Sequence, residues 1–70
     1  MGRRTLIRAD DVKIGHQLEI VEGMDPFEVL VSNSLEEKQE LYLKDRYADR
    51  AGDVFHLVVD KDRLFHRLTY

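Results

Sequence analysis

Apolar side chains return at every second position in a series of short runs, and that period builds half-buried strands rather than packed helices. The plainest case is C-terminal: Val54-Phe55-His56-Leu57-Val58-Val59, then Asp60-Lys61-Asp62-Arg63, then Leu64-Phe65-His66-Arg67-Leu68-Thr69-Tyr70. Two β-rich runs around a polar turn predict a hairpin. An even loop pairs Val59 with Leu64, Leu57 with His66 and Phe55 with Leu68. It gathers Phe55, Leu57, Val59, Leu64 and Leu68 on one face, with His66 as its single polar member. The opposite face, Val54, His56, Val58, Phe65, Arg67 and Thr69, is half apolar. A three-residue loop spreads the apolar groups over both faces. The even loop is expected, because register follows the face that must be buried.

Gln17-Leu18-Glu19-Ile20-Val21-Glu22 alternates in the same way, with Leu18 and Ile20 inward. Gly23-Met24-Asp25-Pro26 turns the chain, Pro fixing φ and Gly supplying a positive one. Phe27-Glu28-Val29-Leu30-Val31-Ser32 returns, with Phe27, Val29 and Val31 expected on one face. The preceding Asp11-Val12-Lys13-Ile14-Gly15-His16-Gln17-Leu18 sets two apolar residues two apart just before a glycine. This stretch resembles the lead-in to the first strand of SH3-like barrels, a fold found in many translation and transcription proteins. The resemblance covers these eight residues and implies a fold class only.

Residues 34–51 carry conflicting signals. Ser34-Leu35-Glu36-Glu37 has the form of a capping box, Gly52 suits a helix C-terminus, and Glu40 precedes Lys44 by one helical turn. Yet Leu35, Leu41, Tyr42, Leu43, Tyr47, Ala48 and Ala51 scatter around a helical wheel without forming a stripe. As a strand, Glu40-Leu41-Tyr42-Leu43-Lys44 alternates cleanly with Leu41 and Leu43 inward, leaving residues 33–38 as a hairpin loop and 45–53 as a longer polar connection. The strand reading is preferred. It makes the chain mainly β, a small five-stranded antiparallel SH3-like barrel or curved sheet. The alternative is an α+β arrangement, ββαββ, with a helix at about 34–51.

Seventy residues are expected to form a single small domain, 1–70, with 1–10 as a basic N-terminal arm. A chain this short buries only about 60% of its unfolded surface, so its stability is on the order of a few kcal/mol. There is no cysteine, which excludes disulfides, thiolate metal sites and cysteine nucleophiles. So small a secreted domain normally needs such staples, so a cytoplasmic setting is expected. No apolar run approaches the roughly 18 residues of a membrane span. The N-terminal Arg3, Arg4 and Arg8 precede no apolar stretch of the kind a signal peptide requires, and Leu6 breaks a myristoylation pattern.

The net charge of −3 is unevenly spread. Residues 1–13 sum to +2, residues 14–40 to −6 and residues 41–70 to +1. Such asymmetry steers charged partners.

No catalytic, cofactor or metal residue emerges. His56 and His66 are expected on opposite faces of neighbouring strands, where they cannot share an ion, and His16 sits alone in a turn. Asp60-Lys61-Asp62 lacks the glycine and terminal glutamate of a calcium loop. Ser32 and Ser34 lack a nucleophile elbow. Adjacent Glu36 and Glu37 point apart. A thin core seldom encloses a reaction centre, and no enzyme is expected.

A surface role remains. Val54, Val58, Phe65 and Tyr42 add apolar groups to faces that a thin barrel keeps polar, and the last strand, ending at Tyr70, is expected at a sheet edge open to a partner strand. The expected function is a protein-interaction or assembly module, by self-association or with another protein, through Val58, Phe65, Arg67 and Tyr70. The alternative is a nucleic-acid-binding barrel using Arg3, Arg4, Arg8, Arg63 and Arg67 around an aromatic platform. Arg46 and Arg50 lie in the long connection. The acidic block from Glu19 to Glu40 opposes a polyanion.

Overall fold

In a computed structural model, residues 2–23, 25–45 and 54–69 are described. The chain is mainly β: β1 (Arg3–Arg8), a single 3-10 turn (Ala9–Asp11), β2 (Gln17–Glu19), β3 (Phe27–Ser34), β4 (Lys38–Asp45), β5 (Val54–Asp60) and β6 (Leu64–Thr69). All six strands join one antiparallel sheet in the order β1-β6-β2-β3-β4-β5, which is not closed into a barrel. The expected mainly β, antiparallel barrel or curved sheet of five strands is thus present, among the described residues, as one unclosed antiparallel sheet of six. The additional strand is β1, so the basic stretch expected as an arm is paired along β6 from Arg3↔Thr69 to Arg8↔Leu64.

The helix alternative fails at β4, where Leu41 and Leu43 point inward and are buried. Ser34-Leu35-Glu36-Glu37 is not a helix cap. It enters a tight hairpin turn in which the Leu35 N–H donates to the Lys38 carbonyl at 2.9 Å. The connection at residues 46–53, with Arg46 and Arg50, lies outside the described residues.

The second hairpin forms as its alternation requires, with Leu18↔Phe27 in register and Leu18 and Val29 buried. Gly15 (φ 92°) and Gly23 (φ 82°) supply the left-handed backbone of the turns on either side of β2. One face assignment fails. A bulge between Val29 and Val31 inserts Leu30 as an extra residue, so Val31 pairs with Tyr42 on the outer face and Ser32 replaces it inside, opposite Leu41.

The C-terminal hairpin does not form. β5 pairs with β4 and β6 with β1 and β2. Asp60 to Arg63 still make a tight turn, closed by the Arg63 N–H on the Asp60 carbonyl at 3.1 Å. Its outward carbonyls are taken by the segment following β1: the Ala9 N–H reaches Arg63 at 2.8 Å and the Asp10 N–H reaches Lys61 at 3.2 Å. That lacing brings β1 alongside β6 and turns β6 away from β5. The inward parity of β6 is then set by Ile7↔Phe65 and Leu18↔Arg67. Phe65 and Arg67 face in; Leu64, His66 and Leu68 face out, the reverse of the expected hairpin. Nor is β6 an edge, since β1 and β2 flank it.

The core comprises Ala9, Val12, Leu18, Val29, Leu41, Leu43, Val59 and Phe65. Gln39 is buried among them, 2% exposed, because β3 supplies both its partners. Its amide donates to the Ser32 hydroxyl at 2.9 Å and accepts from the Ser34 hydroxyl at 3.0 Å.

Candidate functional site

The described residues leave the sheet with two edges, β1 and β5, each paired on one side only. They are chemically unlike. β1 reads Arg-Arg-Thr-Leu-Ile-Arg, and charged side chains of this kind blunt an edge against foreign strands. β5 reads Val-Phe-His-Leu-Val-Val-Asp, seven residues whose single formal charge stands at the end.

The hydrogen-bonding direction of β5 follows from the β3–β4 hairpin. The Leu35/Lys38 pair is hydrogen-bonded, and such pairs alternate along an antiparallel ladder. Asn33/Glu40 and Val31/Tyr42 are therefore hydrogen-bonded pairs, and Gln39, Leu41 and Leu43 turn their backbone groups to β5. Their partners there are Val59, Leu57 and Phe55. The amides of Val54, His56, Val58 and Asp60 consequently point away from β4, to the open edge.

Both faces at this edge carry uncovered apolar groups. Inside, Phe55 is 53% exposed although its ring meets Phe27 edge-on at 5.4 Å. A cleft of about 300 Å³ opens beside the pair, lined by the apolar Ile20, Val21, Phe27, Leu43, Phe55 and Leu57 together with His56. Outside, Val54 and Val58 are exposed. Between them His56 stacks on Tyr42 at 4.6 Å, with Nε2 2.8 Å from Glu40 Oε2. Asn33 donates to the other carboxylate oxygen at 3.2 Å. Asn33 first, then His56, hold the Glu40 carboxyl below its usual range. Lys38 and Asp60 pair at the end of the row, and the lysine likewise lowers the Asp60 carboxyl. These cross-strand contacts order the outer face and leave the backbone edge clear.

Of the residues expected to contact a partner, Val58 alone lies at this edge and exposed. Phe65 is 5% exposed and belongs to the core. Arg67 is half-buried on the inner face, its Nε buried without a partner. Tyr70 lies outside the described residues. Val54, expected among the uncovered apolar groups, belongs to the surface with Phe55, which was missed because it was expected on the buried face. Their signal was present in β5, a strand without lysine or arginine, but it is read only once β5 is known to be an edge.

The five arginines expected to meet nucleic acid are not gathered into a free patch. Arg4 holds Glu19 Oε1 at 2.5 Å and meets His66 Nδ1 at 3.0 Å; Arg8 pairs with Asp10 at 3.1 Å. Arg63 lies over the Phe65 ring, 5.6 Å from its centroid. Arg3 is exposed on β1. A second, open cleft of about 260 Å³ between β1, β2 and β6 sets Arg4 and Arg63 beside Glu19 and Glu22, so its formal charges compensate.

His56 and His66 prove to share the outer face rather than opposite ones. His66 is exposed in the Arg4–Glu19 group, on an outer face that it shares with Leu64 and Leu68 and not on the buried apolar face expected for it. Among the described residues no three histidines or carboxylates converge on a metal position, and no helix is long and apolar enough to cross a membrane. Comparison with protein-family models, with curated proteins and with solved structures finds no match in any of the three.

Proposed function

We propose that this protein is a non-enzymatic interaction module that takes up a partner strand on the open edge of β5. The observation that carries the reading is the contrast between the two edges. β1 is guarded by three arginines, whereas β5 offers backbone donors and acceptors that no other described strand takes up, flanked by uncovered Val54, Phe55 and Val58. Main-chain bonds give such pairing its affinity, and the side chains alternating on either face give it specificity. The apolar cleft beside Phe55 suits an apolar side chain from the incoming strand. Nucleic acid is the weaker reading, because Arg4 and Arg8 already have carboxylate partners and Arg67 is half-buried.

Val58→Pro tests the edge directly. Its amide faces away from β4, so proline removes a bond to a partner strand without breaking the internal ladder. The variant is expected to keep its fold by circular dichroism and to lose partners captured by the wild-type chain from source lysate. A wild type that stays monomeric at high micromolar concentration and captures nothing sensitive to Val58→Pro defeats the reading.

A further inference from the structure

We infer that the strand taken up by the β5 edge is β5 of a second copy of this chain, paired antiparallel about a twofold axis at Leu57. The inference rests on the edge-pairing function proposed above and names its partner.

Self-complementarity argues for it. Two identical antiparallel strands side by side in one sheet are related by a twofold axis perpendicular to the sheet, so some residue must face its own copy. Centring on Leu57 pairs all of Val54–Asp60: Leu57 with Leu57, His56 with Val58, Phe55 with Val59 and Val54 with Asp60. No charged residue meets a like charge. On β1 the same operation sets Arg4 opposite Arg8 when centred on Leu6, and sets Arg3 and Arg4 opposite Ile7 and Leu6 when centred on Thr5, so each register puts an arginine against an arginine or an apolar side chain. β5 keeps its one charge at the end of the strand, which favours it over β1 as the self-pairing edge.

The backbone fits the same centre. His56 and Val58 carry the amide and carbonyl groups that face outward, and in this register each meets the other. These two pairs supply about four hydrogen bonds. Leu57 then falls in a pair without such bonds, where Cα atoms approach to about 4.5 Å. On the inner face Phe55 is covered by Val59 of the second copy, which removes the largest uncovered ring at the edge from water. An isologous contact of this kind closes at two copies, leaving only the arginine-guarded β1 strands outermost.

The chain has no cysteine, so a single introduced one reports its own neighbour. Leu57→Cys, oxidised mildly at high micromolar concentration, is expected to yield a covalent dimer, because the approach at the axis suits a disulfide. Val54→Cys faces Asp60 in this register, about 20 Å from its copy, and is expected to remain single. Equal crosslinking at both positions overturns the register. Wild-type amide exchange guards against a Leu57→Cys variant that does not fold: protection at His56 and Val58 should rise with protein concentration, and protection at His56 should vanish in Val58→Pro. Protection that is independent of concentration, or a strict monomer by sedimentation equilibrium, overturns self-pairing. If that monomer still captures partners in a Val58→Pro-sensitive way, the edge function stands and its partner is another protein.

Discussion

His16 illustrates how position alone changes a side chain's chemistry. Its Nδ1 accepts the Lys13 N–H at 3.1 Å, so protonation there sets two donors against each other. Partial burial first, then the nearby Arg67 and Lys13 charges, lower its pKa from 6.5. The unfolded chain therefore binds a proton before the folded one does, and stability present above pH 6.5 is lost as the pH falls toward the lowered value. Glu40 and Asp60, both lowered, add a second loss below their usual carboxylate range. The melting temperature is expected to decline as the pH falls below 6.5, and His16→Gln to flatten that part of the curve. Gln39 is the other decisive residue. Gln39→Leu leaves the Ser32 and Ser34 hydroxyls without their partner and is expected to cost about 1–3 kcal/mol in urea unfolding. Adding Ser32→Ala and Ser34→Ala should recover most of it, since unpaired polar groups rather than lost volume cause the cost.

At the scale of the element, β5 separates ladder from edge within one strand. Leu57 turns its amide to β4 and Val58 turns its amide outward, one residue apart. Leu57→Pro is accordingly expected to lose a sheet bond and unfold the domain by circular dichroism, while Val58→Pro keeps it folded. Equal damage from both would show that the ladder has the other phase. Strand identity and inward residues in β2 and β4 were legible in the sequence because one face of each is clearly apolar: Leu18 in β2, Leu41 and Leu43 in β4. The face of β6 was not legible. Leu64 and Leu68 stand on one side and Phe65 on the other, so its own composition does not select between them, and pairing with β1 and β2 does. The bulge at Leu30 was equally invisible, because an inserted residue shows only against the partner strand it interrupts.

At the scale of the molecule, an open sheet over a core of a few residues has little stability to spare. A second copy bound only by the folded form adds to that stability by mass action. The melting temperature of the wild type is therefore expected to rise with protein concentration, and that of Val58→Pro to be independent of it. A concentration-independent wild type would mean that the β5 edge is not self-paired in solution. The candidate surface was partly legible: Val54 and Val58 were singled out as uncovered, but placed beside Phe65, which is core.

The sequence by itself determined that this protein is built of strands, where its turns fall, and which residues of β2 and β4 go inward. Alternation is a local property, enforced by the opposed directions of successive side chains, and needs no knowledge of neighbours. Only the tertiary structure decided which strands pair and which edges stay open. The carbonyls of the turn after β5 could have remained in water, with β5 and β6 closing on each other. Instead Ala9 and Asp10 bind them, β1 takes the place beside β6, and β5 has no second partner strand among the described residues. Backbone hydrogen bonds are nearly indifferent to sequence, so the choice among partners lies in long-range packing rather than in any run of residues.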